Sequence, residues 1–331
     1  MRSGNFALFI PLQGCPNHCI YCDQKKISGK EEMSPEKAGD ILNREMPAWC
    51  KKGLQGQIAF FGGTFTGLSM NEMKAYLAVA APYVKNGAVD GIRISTRPDY
   101  INQDILSLLQ EYNVTHIELG VQSLDDQVLR RAGRCYTAET VEQSSKLICD
   151  HGFVLGLQMM PGLPGDTREK SILTAERIIA LGAKETRIYP TVVIKETPLA
   201  QLYEQGSYVP MQLDAAVDLC AELKQRFEEK GVTVLKIGLH SGAVEKDILA
   251  GPFHPSFGQL VDSKICLEQM ITFCQQHSLE NTTLFVTPNR FDASDIVGQC
   301  RVNAGTLLDR FGIILKISKK VLTNEKNSII I

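Results

Sequence analysis

The sequence predicts an α/β fold built on a parallel sheet. Short apolar or β-branched runs alternate with longer segments of helical periodicity from residue 6 to about residue 230. Six strand–helix units of this kind imply parallel strands joined by right-handed crossovers. A chain of 331 residues with 44% hydrophobic content can bury a core of that size. The strand candidates span residues 6–12, 57–61, 91–95, 116–121, 153–159 and 186–189. An open sheet and a closed or partly closed barrel both satisfy the pattern.

Helix start signals lie between the strand candidates. Ser34 is a capping residue followed by Pro35 at the first helical position. Further caps are expected at Ser69 with Glu72, at Asn102, at Thr137, and at Asp166 with Glu169. A later helix shows one apolar face at spacings of four and three, formed by Leu213, Val217, Cys220, Leu223 and Phe227.

The order of elements becomes less regular after about residue 231. Strands are expected at residues 232–239, 283–286 and 313–317, and a helix near residues 263–276. We therefore predict a core domain at residues 1–230 and a small α+β extension at residues 231–331 that packs on the core.

Charge and composition exclude some classes of partner. The formal net charge of −2 gives no global attraction to nucleic acid, whose binders usually carry a basic face. The ten cysteines are scattered, and no secretory signal or run of about 18 apolar residues occurs. We expect a cytoplasmic protein without a membrane partner.

Cys15, Cys19 and Cys22 form the most informative motif, on the loop after the first strand. Three cysteines cannot all pair as disulfides, and they are one thiolate short of a closed four-cysteine zinc site. Three thiolates could instead bind a four-iron cluster and leave the fourth iron open to another ligand. Two alternatives remain at this point. Cys19 and Cys22 could be a redox-active dithiol, or His18 or a distant residue could complete a zinc site.

The C-x3-C-x2-C spacing, with Tyr21 just before the last cysteine, resembles the signature of radical S-adenosylmethionine (SAM) enzymes. This resemblance implies a 4Fe-4S cluster whose open iron chelates the amino and carboxylate groups of SAM. It also implies reductive cleavage of SAM to a 5′-deoxyadenosyl radical, with the electron coming from a flavodoxin- or ferredoxin-type donor.

Five further segments lie where successive strands end, as expected for ligand-binding loops of a parallel α/β fold. They are Phe60-Phe61-Gly62-Gly63-Thr64-Phe65-Thr66, Ile94-Ser95-Thr96-Arg97-Pro98-Asp99-Tyr100, Glu118-Leu119-Gly120-Val121-Gln122-Ser123, Gln158-Met159-Met160-Pro161-Gly162-Leu163-Pro164-Gly165 and Arg187-Ile188-Tyr189-Pro190-Thr191-Val192-Val193-Ile194. Together they resemble the radical SAM branch that includes the catalytic subunit of elongator, which modifies wobble uridines in tRNA. They resemble the oxygen-independent coproporphyrinogen oxidases more distantly. The resemblance implies a partial (β/α)6 barrel of the TIM type.

Site residues follow from this resemblance, position by position. Cys15, Cys19 and Cys22 would hold the cluster. The SAM contacts would be Tyr21 at the adenine, Gly62, Gly63 and Thr64 at the methionine amine, Ser95 and Gln122 at the ribose, Arg134 at the methionine carboxylate, and Gln158 at the nucleoside.

Ser95 departs from the pattern, because many relatives place a glutamate there for the ribose. About 100 residues after residue 210 look too short for the acetyltransferase domain of elongator subunits, so we expect no acyl transfer. The favoured substrate is a tRNA nucleoside. The alternative is a heme-binding, chaperone-like protein without radical turnover.

The remaining cysteines show no ligand spacing, and we expect them to be buried as small hydrophobes. They are Cys50, Cys135, Cys149, Cys220, Cys266, Cys274 and Cys300. His240 and His254 are expected to be structural, although a role toward substrate stays open for both.

Overall fold

The computed structural model describes residues 4–10, 13–15, 19–23, 26–27, 33–54, 56–239, 242, 244–318 and 327–331. Contacts divide the chain into two units. The first comprises Met1–Met211 and Arg226–Phe253, and the second comprises Gln212–Gln225 and His254–Ile331.

The first unit is built on a parallel sheet of seven strands in the order β1-β2-β3-β4-β5-β6-β8. These strands are β1 (Phe6–Phe9), β2 (Gln57–Phe61), β3 (Gly91–Thr96), β4 (Val114–Gln122), β5 (Val154–Met159), β6 (Glu185–Ile188) and β8 (Thr233–Ile237). Each neighbouring pair is parallel. The predicted α/β fold with a partial TIM-type barrel is confirmed, with a seventh strand beyond the six expected.

The seventh strand lies beyond the domain boundary predicted at residue 230. It pairs with β6, with Ile237 opposite Ile188. A short antiparallel pair, β7 (Val193–Ile194) with β9 (Ile248–Ala250), also belongs to this unit. The packing of a C-terminal extension on the core stays a prediction.

Helices follow most strands of the first unit, as the capping signals predict. They are α1 (Pro35–Lys51), α2 (Met70–Lys85), α3 (Gln103–Glu111), α4 (Asp126–Arg131), α5 (Ala138–Asp150), α6 (Arg168–Ala180) and α7 (Pro198–Glu204). Ser34, Asn102 and Thr137 cap their helices, and Ser69 forms a complete capping box with Glu72.

The start of α6 differs from the prediction by one residue. Thr167 is the N-cap, and its hydroxyl accepts from the amide of Lys170. The carboxylate of Asp166 instead accepts from the Gly162 amide and the Ser171 hydroxyl. Asp166 therefore closes the loop after β5 rather than the first turn of the helix.

Side chains alternate between two environments along the strands. One face is apolar: Phe60 lies against Phe65 and Tyr76, with ring centroids 5.2 and 5.7 Å apart. The opposite face of the central strands carries Arg93 and Glu118, both almost fully buried and in contact. This inner face is therefore polar.

Helix α8 (Leu213–Glu229) begins in the second unit and ends in the first. The second unit also contains α9 (Phe257–Gln276), α10 (Ala293–Val297) and α11 (Val302–Phe311). Its three-stranded parallel sheet has the order β11-β10-β12, formed by β10 (Thr283–Thr287), β11 (Ile314–Ile317) and β12 (Ser328–Ile330). The short 3-10 helices of the chain are Phe65–Gly67, Pro98–Tyr100, Glu245–Asp247 and Gln299–Arg301.

Asn303 is the main buried polar side chain of the second unit, at 2% exposure. Its amide donates to the carbonyls of Ser263, Asp295 and Ile296 at 2.9, 3.1 and 3.2 Å. Among the described residues, no helix is both long and apolar enough to cross a membrane.

Candidate functional site

The cysteine loop leaves β1 at the edge where the parallel strands end. Cys15 and Cys22 are partly buried, and Cys19 is 7% exposed. The amide of Cys22 donates to the carbonyl of Cys19 at 3.0 Å, so these two cysteines share one turn. Residues 16–18, including His18, lie outside the described part of the chain. Within that described part, no three histidine, cysteine or acidic side chains are already gathered as a metal site.

The glycine-rich turn after β2 lies backbone to backbone against the cysteine loop. The amide of Thr64 donates to the carbonyl of Gln13 at 2.9 Å. A methyl group added to Gly63 would lie 2.4 Å from the carbonyl oxygen of Gln13 and 2.7 Å from that of Ile10. Gly14, at a φ of +70°, approaches the carbonyl of Thr64 equally closely. Gly63 is therefore needed for packing, whatever it contacts in a ligand.

Two side chains hydrogen-bond to cysteine sulfurs. The hydroxyl of Thr64, which is 1% exposed, lies 3.0 Å from Cys15 Sγ. Arg134 Nη1 donates to Cys19 Sγ at 3.0 Å. Sulfur ligands in metal sites commonly accept such hydrogen bonds from outer residues.

Arg134 is 8% exposed and makes contacts on each of its nitrogens. Nε donates to the hydroxyl of Tyr136 at 2.7 Å, and Nη2 donates to the carbonyl of Gly120. Tyr136 in turn donates to the same carbonyl at 2.5 Å. Burial raises the pKa of Tyr136 to about 12, so this hydroxyl remains protonated and can donate.

Arg97 is the second buried guanidinium near the cysteine loop, at 4% exposure. Nε and Nη2 donate to the two carboxylate oxygens of Asp99 at 2.9 and 2.7 Å. Its guanidinium carbon lies 5.5 Å from the ring centre of Tyr136. Nη1 is buried and has no hydrogen-bond partner among the described residues. Arg97 lies in the predicted loop segment Ile94–Tyr100, and its sequence context alone indicated no role for it.

Gln122 ends β4 with a φ of +70°, in the left-handed region that side chains rarely adopt. The register of β4 with β5 shifts between Gly120 and Gln122, which is a β-bulge. A bulge of this kind changes the direction of the side chain that follows it. Its Oε1 is buried and has no partner among the described residues. An acceptor and a donor, Gln122 Oε1 and Arg97 Nη1, thus lack partners at the ends of adjacent strands.

Gln158 contacts a charged network on the inner face of the sheet. Its Nε2 donates to Glu118 Oε2 at 2.8 Å. Glu118 is 1% exposed and also accepts from Arg187 Nε at 2.7 Å and from Arg93 Nη1 at 2.8 Å. Arg93 also contacts Glu185, at 2.5 Å. Sequence reasoning missed this network, since each strand contributes one or two residues.

The network keeps Glu118 ionised despite its burial. Burial alone would raise the pKa of Glu118, but hydrogen bonds and the positive charges of Arg187 and Arg93 outweigh it and lower the pKa. A methyl group added to Gly156 would lie 3.0 Å from Glu118 Cγ, so this glycine makes room for the carboxylate. Ser95 lies opposite Glu118 in the strand register.

Tyr21 lies in a buried apolar cluster and is 8% exposed. Other members of the cluster include Cys19, Val128, Leu163, Leu199 and Tyr208. The turn is fixed on both sides, because the Ile20 amide donates to Ala132 and the Ile20 carbonyl accepts from Leu199. The structure therefore places Thr64 against Cys15 and Arg134 against Cys19, whereas Gln158 and Ser95 lie on the inner face beside Glu118.

The other cysteines and the two histidines singled out in the sequence differ in how they agree with expectation. The expectation that the other cysteines are buried is correct for Cys220, Cys266 and Cys274 and wrong for the four exposed ones, Cys50, Cys135, Cys149 and Cys300. His254 Nδ1 accepts from the amide of Ser256 at 3.1 Å, as a structural histidine does. His240 lies outside the described residues.

The sequence model of the Radical SAM superfamily matches residues 9–178. That of the radical SAM C-terminal domain matches residues 183–266. Elongator complex protein 3 of Dictyostelium discoideum is 37% identical over 136 residues, which cover 40% of this chain and 24% of that protein. The tRNA uridine(34) acetyltransferase of Dehalococcoides mccartyi is 29% identical over 137 residues, which cover 40% of this chain and 30% of that protein. The matched segments thus span less than a third of either relative.

A solved structure shares the fold. Elp3 of the archaeon Methanocaldococcus infernus, determined with an N-terminal deletion, superposes with a TM-score of 0.62 at 17% sequence identity. The match covers 83% of this chain and 63% of that chain. At this identity the similarity concerns the fold, and it agrees with the partial barrel described above.

Proposed function

Because this chain belongs to the radical SAM superfamily, whose enzymes use a 4Fe-4S cluster and SAM, we propose that it cleaves SAM reductively to modify a nucleoside of tRNA. The family match covers just over half of the chain, at residues 9–178, and confirms the resemblance inferred from the cysteine spacing. The chain is thus a radical SAM enzyme. When bound, the reduced cluster supplies the electron that breaks a carbon–sulfur bond of SAM.

Cys15, Cys19 and Cys22 are the proposed cluster ligands. The donor set fits an iron–sulfur cluster, because thiolates are the usual ligands of such clusters. The hydrogen bond between Thr64 and Cys15 and the one that Arg134 donates to Cys19 also fit, since hydrogen bonds from outer residues orient and tune sulfur ligands.

The observation that carries the SAM assignment is that two buried atoms at the ends of adjacent strands, Arg97 Nη1 and Gln122 Oε1, have no hydrogen-bond partner among the described residues. A buried polar atom without a partner costs free energy, and a ligand that supplies the partner removes that cost. The methionine carboxylate of SAM accepts hydrogen bonds and suits a guanidinium, and a ribose hydroxyl donates and suits an amide oxygen. We assign the carboxylate to Arg97, because Arg134 already contacts Cys19, Tyr136 and Gly120.

The other proposed SAM contacts lie on the glycine-rich turn, at Tyr21 and on the inner face of the sheet. Gly62 and Gly63 offer backbone groups for the methionine amine, whereas the Thr64 hydroxyl points to Cys15. Tyr21 is proposed beside the adenine, and Ser95 and Gln158 beside the nucleoside. An external one-electron donor of flavodoxin or ferredoxin type completes the proposal.

A tRNA nucleoside is the proposed substrate. It is supported by the similarity to a relative whose name is tRNA uridine(34) acetyltransferase, within the 40% of this chain that the alignment covers. The formal net charge of −2 means that tRNA would have to bind through a local basic surface. Acyl transfer is not part of the proposal.

The test combines an assay of the purified protein with a nucleoside profile. Protein reconstituted anaerobically with iron and sulfide is given dithionite and SAM, with and without unmodified tRNA, and 5′-deoxyadenosine is measured. We expect 5′-deoxyadenosine in both cases, more of it with tRNA, and a new nucleoside mass in the digested tRNA.

Matched variants locate the activity. Cys19→Ala should abolish 5′-deoxyadenosine formation, and Cys50→Ala, at an exposed cysteine, should leave it unchanged. Gln122→Met should weaken SAM binding because the acceptor is lost. An unchanged tRNA nucleoside profile both in vitro and after gene deletion would remove the tRNA proposal. Tight heme binding with no 5′-deoxyadenosine would favour the heme-binding alternative.

A further inference from the structure

Arg134 contacts a cysteine sulfur rather than an open ligand site. Its Nη1 lies 3.0 Å from Cys19 Sγ, and the side chain is almost fully buried. We propose that Arg134 is a positioning residue whose hydrogen bond to Cys19 raises the reduction potential of the cluster. This inference rests on the proposed function, because it requires that Cys19 holds a cluster.

The physical reason is charge. Reduction adds one negative charge to a cluster, and a nearby cation that donates to a ligand sulfur stabilises the reduced form more than the oxidised form. Low exposure strengthens the effect, since water does not screen the pair. Arg134 is 8% exposed and Cys19 is 7% exposed, so both members of the pair are shielded.

The guanidinium is held in place by groups other than the sulfur. Nε donates to the Tyr136 hydroxyl at 2.7 Å, and Nη2 donates to the carbonyl of Gly120. Tyr136 is 6% exposed and also donates to Gly120 at 2.5 Å. Two protein groups, the Tyr136 hydroxyl and the Gly120 carbonyl, thus direct Nη1 at Cys19 without needing a bound ligand.

Arg97 provides a matched comparison. It is a buried cation in the same region and stacks against the same Tyr136 ring. Its contacts differ, because two of its nitrogens pair with Asp99 and neither contacts a sulfur. A general effect of nearby positive charge would therefore appear in variants of both arginines, and an effect of the hydrogen bond only in variants of Arg134.

The experiment is a redox titration of the reconstituted protein without SAM, followed by electron paramagnetic resonance (EPR). Arg134→Gln should lower the ratio of reduced to oxidised cluster about tenfold at a fixed solution potential, which corresponds to about 59 mV for a one-electron couple. Arg134→Lys, which keeps the charge, should shift the ratio less. Arg97→Gln should leave the ratio within about threefold of wild type, since the nitrogens of Arg97 that have partners donate to Asp99 and not to a cysteine sulfur.

SAM affinity separates this role from carboxylate binding. Arg134→Gln with an unchanged potential and a large loss of SAM affinity would overturn the inference in favour of a direct SAM contact. An Arg134→Gln variant whose cluster has the wild-type reduction potential and whose SAM affinity is unchanged would also overturn the inference.

Iron and sulfide content control for assembly. If Arg134→Gln does not hold a cluster, Arg134→Lys and Tyr136→Phe replace it in the titration. Tyr136→Phe removes the hydroxyl that accepts from Arg134 Nε, so the guanidinium is no longer held in place beside Cys19. Both should lower the potential, and wild-type potentials in both would contradict the inference. A wild-type protein that binds no iron would refute the proposed function itself, an outcome distinct from unaltered potentials.

Discussion

Replacing Glu118 by Gln should destabilise the fold more than any comparable change at the surface. Glu118 is 1% exposed and accepts hydrogen bonds from Arg93, Gln158 and Arg187. A glutamine has nearly the same shape, but it removes the negative charge and replaces one accepting oxygen by an NH2 group that faces donors. The change therefore leaves a buried guanidinium without its counter-charge. Removing one partner of a buried ion pair is strongly destabilising, because the other charge remains buried.

The structure sets the expected size. Two unit charges 2.7 Å apart, the Arg187–Glu118 separation, interact by about 6 kcal/mol at an effective dielectric constant of about 20. Desolvation of the carboxylate offsets part of this, and loss of one buried partner typically costs about 3–5 kcal/mol. Arg93 keeps Glu185 at 2.5 Å, so the cost falls mainly on Arg187. We expect a loss of about 3 kcal/mol, the low end of that range.

Equilibrium urea denaturation followed by circular dichroism measures this loss. Glu142→Gln is the control, because Glu142 pairs with Arg177 while their side chains are 45% and 33% exposed. It should cost less than about 1 kcal/mol. The double variant Glu118→Gln, Arg187→Gln should regain part of the stability, since it removes the uncompensated charge. A Glu118→Gln variant no less stable than Glu142→Gln would refute the reasoning.

Three further predictions concern other parts of the chain. Gly63→Ala should prevent cluster assembly, because its methyl group would lie 2.4 Å from the Gln13 carbonyl oxygen, and Gly305→Ala, with open space around it, should not; equal iron content in both would contradict this. Burial and then the charge of Arg93 lower the pKa of His116, so the folded state binds fewer protons than the unfolded state just below pH 6.5. The free energy of unfolding should therefore fall as pH decreases below about 6.5, and less steeply in His116→Asn; identical slopes would count against it. Asn303→Ala should cost about 1–3 kcal/mol by removing donors from buried carbonyls, and an unchanged urea midpoint would argue otherwise.

Local motifs could be predicted from the sequence because they are formed by residues close together along the chain. The cysteine spacing predicted the family, and the capping box at Ser69 predicted the start of α2. The parallel sheet followed from the alternation of apolar runs with helical segments, and the partial barrel followed from the resemblance to the family. The short strands β9 and β12, with three residues each, left no such pattern.

The parts that were missed depend on distant contacts. Glu118 and Arg187 are 69 residues apart in sequence and meet only because β4, β5 and β6 are adjacent. The sequence predicts Arg134 at a ligand carboxylate and gives no sign of its contact with Cys19, which spans 115 residues. Arg97 became a candidate for binding the methionine carboxylate only when its hydrogen-bond partners were known. A buried nitrogen without an acceptor cannot be recognised from sequence.

The central claim is that three cysteines hold a cluster with one iron open to SAM. EPR of the dithionite-reduced, reconstituted protein before and after addition of SAM tests it most directly. The account predicts a 4Fe-4S signal that changes when SAM is added, and loss of that signal in Cys15→Ala, Cys19→Ala and Cys22→Ala. A cluster signal that SAM leaves unchanged, or a protein that binds zinc and no iron, would contradict it.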